Sequence, residues 1–154
     1  MALQLAKRLG ANVFAIASGD DGVQLDKKLG ADRVVDGRGD DVLNEARKFA
    51  PKGIDAALVT AGGAETDEAL SAIRKGGRIA YPHGVMPEPT APKGVEIEAY
   101  DGEISPALIK RLNALIDSGP FAVHVDRTFS LEEVSKAHEA LTKHHLGKLV
   151  LRID

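Results

Sequence analysis

Three short stretches carry residue types that could hold a charged ligand: Ser18-Gly19-Asp20-Asp21-Gly22, Thr60-Ala61-Gly62-Gly63 and Pro82-His83-Gly84-Val85. Each follows an apolar run and is rich in small residues, which let a flat or anionic ligand approach the backbone closely. Glycines also end strands in any α/β chain, so one such stretch says little; three in succession point to a ligand-binding edge. His83 draws attention because a histidine has the chemistry of an acid or base. It reads first as part of its loop, and no residue is assigned a catalytic role. His138, His144 and His145 include no i, i+4 pair completed by a glutamate or third ligand, so they read as a solvated helix end and no metal is expected. There is no cysteine, which removes thiolate chemistry and disulfides, and no serine lies in a G-x-S-x-G context.

These loops need elements to position them, and the clearest sign of those elements is an internal repeat. AKRLGANVFAIAS at residues 6–18 is echoed twenty residues later by DKKLGADRVVD at 26–36, each a basic helix end, a glycine stop and an apolar strand. Such alternation predicts β-α-β units and a parallel sheet. The same reading predicts strands at Val13–Ala17, Val34–Val35, Ile54–Thr60, Arg78–Tyr81, Val95–Tyr100, near Phe121–Val125, and at Lys148–Ile153. Helices are expected over 2–9, 20–28 with Ser18 as cap, 42–49, 66–74 stopped by Gly76-Gly77, and 106–117 with Leu108, Ile109, Leu112, Leu115 and Ile116 inward. The last helix follows the capping box Ser130-Leu-Glu-Glu133.

At 154 residues the chain is the size of one domain, and 44% hydrophobic with 28% charged residues places it among soluble folded proteins. A formal net charge of −3 with interleaved signs offers nothing to nucleic acid or an anionic membrane. Apolar runs such as Val13–Ala17 are far shorter than a bilayer span, and residues 1–9 do not read as a signal peptide, so a cytoplasmic protein is expected.

The runs ALQLAKRLGANVFAIAS, LDKKLGADRVVD, IDAALVTAGG and RKGGRIA, with the ending RTFSLEEVSKAHEAL…GKLVLRI, resemble the medium-chain dehydrogenase/reductase superfamily, nearest its zinc-free quinone oxidoreductase branch. The resemblance covers nearly the whole chain, in the family's order and spacing. It implies an α/β, Rossmann-type doubly wound parallel sheet lacking its first strand and glycine-rich loop, since no GxGxxG occurs and the chain begins at the helix that follows them. Residues 1–128 would form the truncated nucleotide-binding domain. Residues 129–154 would be the helix and strand that belong to the family's GroES-like catalytic domain.

The resemblance further implies an NAD(P)H-dependent oxidoreductase whose intact parent reduces a quinone, enone or aldehyde by hydride transfer. The alternative is a truncated, inactive structural or interaction module. Ser18 and Gly19 would face the adenosine end, Thr60, Ala61 and Gly62 the nicotinamide-side ribose, and Pro82, His83, Gly84 and Val85 the nicotinamide ring. The neutral Ala17-Ser18 strand end favours NADP over NAD, although Gly22 stands where the family has a basic phosphate partner and Asp20 and Asp21 oppose an anion. Without a pyrophosphate loop, these 154 residues are expected to bind the dinucleotide weakly. The sheet order is expected to be 3-2-1-4-5-6 with position 1 empty, closed by direct pairing or filled by another chain. A homodimer through the edge strand Val95–Tyr100 is expected.

Overall fold

The structure, a computed structural model, describes residues 1–102 and 104–153. Along the chain run α1 (Ala2–Arg8), β1 (Phe14–Ala17), α2 (Gly19–Lys28), β2 (Arg33–Asp36), α3 (Val42–Phe49), β3 (Ile54–Leu58) and α4 (Ala64–Leu70). They are followed by β4 (Ile73–Pro82), β5 (Glu96–Tyr100), α5 (Pro106–Asp117), β6 (Val125–Ser130), α6 (Val134–Leu141) and β7 (Lys148–Arg152). Two α-helices start at side-chain caps. Asp41 accepts from the Asn44 N–H at α3, and Ser105 accepts from Leu108 ahead of Pro106 at α5. Ser130 and Glu133 form the expected capping box, on a 3₁₀ turn that leads into α6.

All strand pairs are parallel, in the orders β1-β2, β3-β4-β5 and β6-β7. The pairs β1-β2 and β3-β4-β5 are those expected on either side of the first position. That position is not closed by direct pairing, because β1 and β3 are not hydrogen-bonded neighbours. Each half-sheet has its own core: Val34 and Val35 of β2 with Ala46 of α3 in one, and Val59, Leu70, Ile73, Ile79, Tyr81 and Val85 in the other. Helix α3 joins them, packing on β1 and β2 and also touching α4, with the Phe14 and Phe49 rings 5.6 Å apart. In a complete sheet of this kind the strands flanking the centre would be the most buried. Here Ile16 on β1 is 53% exposed and Leu58 on β3 is 48% exposed.

Three departures from the sequence expectations have local causes. The stretch 71–77 continues neither α4 nor a helix stop: while β3 advances from Ile54 to Ala56, β4 advances from Ile73 to Arg78, so Arg74–Gly77 bulges out of the strand. Strand β6 begins where the expected Phe121–Val125 strand would end. The chain before it is held by side chains, with Arg8 donating to the carbonyls of Ile116, Gly119 and Pro120, and Gln4 bonding both the N–H and C=O of Ala122. On α5, Leu108 and Ile109 are exposed rather than inward.

In a parallel ladder only alternate residues of a strand address a given neighbour. Ala17 and Val59 bond β2 and β4 through Gly37 N–H to Ala17 C=O and Val59 N–H to Ala80 C=O, so Phe14, Ile16, Ala56 and Leu58 turn their backbones to the unpaired edges. Hydrogen exchange should therefore find the amides of Phe14, Ile16, Ala56 and Leu58 exchanging at least about tenfold faster than those of Ala15, Ala17, Ala57 and Val59. Equal protection of the two sets would show that the edges are covered.

Candidate functional site

A parallel sheet joined by helical crossovers collects its strand-to-helix loops at the carboxyl ends of the strands. The three small-residue loops obey this rule: Ser18-Gly19 follows β1, Thr60-Ala61-Gly62 follows β3, and Pro82 to Val85 closes β4. Among the described residues no hydrogen bond joins the first loop to the second.

The first loop is built around Asp36, at the end of the neighbouring strand β2. Its carboxylate accepts from the Gly19 N–H at 3.1 Å and the Arg38 N–H at 3.0 Å, and these two bonds, that of Arg38 foremost, hold its pKa below the ordinary 3.8. Ser18 stands at the start of α2, but its side chain makes no capping bond; Asp36 takes the Gly19 donor instead. Gly19 has φ +80, a conformation costly to any residue with a Cβ, and Arg38 Nη1 lies 3.7 Å from where that Cβ would be. A guanidinium thus stands beside the neutral strand end. Asp21, expected to repel an anion, is engaged elsewhere: it accepts from the Gly22 N–H and pairs with His144 Nε2 at 2.6 Å, and the His144 bond is the main cause of its lowered pKa.

The second loop touches the segment that continues the third. A Cβ on Gly62 would lie 1.7 Å from the carbonyl oxygen of Pro87, so the segment beyond Val85 occupies the space a side chain would need. Thr66 Oγ1 donates to the Ala61 carbonyl at 3.0 Å and steadies the turn. In the third loop the His83 N–H donates to Tyr100 C=O at 3.0 Å, and the His83 ring Nδ1 lies 2.9 Å from Asp101 Oδ1. Gly84 is open, with nothing within 4 Å of where a Cβ would stand, whereas Val85 sends its side chain into the core. Only the backbone of Val85 is available to a ligand.

Sequence reasoning missed Arg38, Asp36 and Asp101. It sought the phosphate partner within the loop after β1, at Gly22, whereas the cation arrives from the loop after β2. The repeat gave no signal for Asp36, which at the twenty-residue offset falls opposite Ile16. Among the described residues no three of His, Cys, Asp and Glu are grouped closely enough to hold a metal ion. No helix among them is long and apolar enough to cross a membrane. An open groove along α5, lined by Pro106, Ile109, Lys110 and Asp117, contains none of the loop residues.

The family model for zinc-binding dehydrogenases matches residues 1–101. No curated protein matches in sequence. Among solved structures, an NAD-dependent alcohol dehydrogenase superposes with a TM-score of 0.86 at 27% identity, over 99% of this chain and 47% of the other. The alcohol dehydrogenase of the hyperthermophilic archaeon Aeropyrum pernix gives 0.79 at 26% identity, over 96% of this chain and 45% of the other. The quinone oxidoreductase of Thermus thermophilus, solved also in complex with NADPH, gives 0.78 at 24% identity, over 99% of this chain and 52% of the other. The chain spans about half the length of the solved structures it matches.

The contact between the second and third loops has a direct test. Gly62→Ala must push the Pro87 carbonyl away, an overpacking cost of about 1–3 kcal/mol. Denaturant unfolding should show a midpoint lowered accordingly; a variant as stable as the parent would mean that the two loops do not touch.

Proposed function

The chain belongs to the zinc-binding dehydrogenase family, and from that premise we propose that it is the nucleotide-binding portion of an NAD(P)H-dependent oxidoreductase, with NADP(H) the preferred cofactor. The observation that carries the reading is the placement of the three loops at the carboxyl ends of β1, β3 and β4, the edge where a parallel α/β sheet takes its ligand. Ser18 and Gly19 receive the adenosine end, with the Arg38 guanidinium beside them as partner for a 2′-phosphate. Thr60, Ala61 and Gly62 lie along the nicotinamide-side ribose. Pro82, His83, Gly84 and the Val85 backbone face the ring, where the open backbone at Gly84 suits a flat group.

When bound, the cofactor supplies a hydride at its nicotinamide ring. The part of this chain is to orient the two ends. The reaction of the whole protein is reduction of a quinone, enone or aldehyde. Although the family's description names zinc, the described residues bring no suitable donor set together and the chain has no cysteine, so no step through zinc is assigned to them. Residues 1–128 make up the nucleotide-binding part, and residues 129–154, with α6 and β7, belong to the catalytic domain. The β5 edge strand, with Ile97 and Tyr100 exposed, pairs with its copy in a cytoplasmic homodimer.

Isothermal titration of the 154-residue chain tests the cofactor reading. With no GxGxxG among these residues to receive the pyrophosphate, NADPH should bind in the millimolar range, and NADH about 10- to 100-fold more weakly, the value of one charge-assisted pair at about 1.5–3 kcal/mol. Arg38→Ala should erase most of that preference. Tighter binding of NADH than NADPH, or a preference indifferent to Arg38, would contradict it.

A further inference from the structure

The His83–Asp101 pair is used by neither the fold nor cofactor binding as described. Its placement follows from strand register. Strands β4 and β5 are paired in parallel with Pro82 opposite Tyr100, so the next residue of each, His83 and Asp101, emerges side by side at the carboxyl edge. The His83 backbone is fixed there by its N–H bond to Tyr100 C=O, and Pro82 restricts the chain just before it. The ring is half exposed, and its Nδ1 meets the Asp101 carboxylate at 2.9 Å. A carboxylate accepts only, so its charge beside Nδ1 favours the ring form that carries its proton on that nitrogen. Nε2 is then the nitrogen left to face the loop edge. With Nδ1 turned to the carboxylate, Nε2 is the ring nitrogen that can hand a proton to a substrate oxygen.

We infer that Asp101 orients His83 so that Nε2 exchanges a proton with the carbonyl oxygen of the substrate; the inference rests on the cofactor reading of the Thr60 and Pro82 loops. In the reducing direction the hydride that the cofactor supplies forms the new C–H bond, the C=O π pair moves to oxygen, and that oxygen takes the proton from Nε2. The imidazole, left neutral with its proton on Nδ1, recovers the other from solvent. Asp101 remains ionised throughout and is a positioning residue.

The test is nitrogen NMR of the uniformly nitrogen-labelled 154-residue chain, with the His83 ring signals assigned by their loss in His83→Gln. In the neutral ring the proton should reside mainly on Nδ1, and Asp101→Ala should return it mainly to Nε2, the form free imidazole prefers. Adding NADP⁺ should move the His83 Nε2 signal and the Gly62 amide together, and should leave the His138 ring, on α6, unmoved. A His83 tautomer indifferent to Asp101→Ala would overturn the inference. So would NADP⁺ moving Gly62 while leaving Nε2 unchanged, which would place His83 off the site and leave the cofactor reading standing. NADP⁺ moving neither signal, with the Asp101-dependent tautomer intact, would overturn the cofactor reading and this inference with it.

Discussion

Helix α3 is the contact on which the arrangement of the loops depends. No ladder of hydrogen bonds runs from β1 to β3, so the half-sheet that carries Ser18 and Gly19 and the one that carries the Thr60 and Pro82 loops are related through side-chain packing. Phe49 at the end of α3 packs on Phe14 of β1, an aromatic pair worth about 0.5–1.5 kcal/mol beyond its buried area, while the same helix reaches α4 on the other side. Strand pairing fixes register to a residue; helix packing fixes it less strictly. The spacing between the adenosine and nicotinamide ends of the candidate cradle is therefore set by one helix.

Within each half the loops are held tightly. Asp36 commits its carboxylate to the Gly19 and Arg38 amides, which fixes the turn after β1 and brings the Arg38 guanidinium beside the strand end. Asp21 is drawn off by His144 from the segment after α6, so an acid that sequence alone sets against an anionic ligand is partly neutralised. The chain's net charge of −3 gives no general attraction for a dinucleotide, and local placement of charge has to supply it. In the other half, Gly62 and Pro87 meet backbone to backbone, so the turn after β3 and the segment beyond Val85 are packed together.

Much of the fold was legible because it is local. The repeat of basic helix end, glycine and apolar strand located β1 and β2, and the Ser130–Glu133 box located the start of the last helical segment, because capping and periodicity act within a few residues. What was hidden is what distant residues decide. Gly76-Gly77 has the composition of a helix stop, yet Gly77 lies against Asp55 C=O of β3 and forms a bulge within β4. Phe121–Val125 has strand-like residues, but Gln4, over a hundred positions away, takes both backbone groups of Ala122, and Arg8 holds the Pro120 carbonyl just before them. The three loops were found by composition. Arg38, Asp36 and Asp101 were not, since each reaches the site from the strand beside the loop it serves.

The central claim is that these loops form one dinucleotide cradle along a single carboxyl edge, and a crystal structure of the chain soaked in millimolar NADPH tests it most directly. The adenosine end should lie over Ser18 and Gly19 with the 2′-phosphate against Arg38, and the nicotinamide between the Thr60–Gly62 turn and Gly84. NADPH bound with its ends reversed, or seated away from this edge while these loops stay clear, would contradict it.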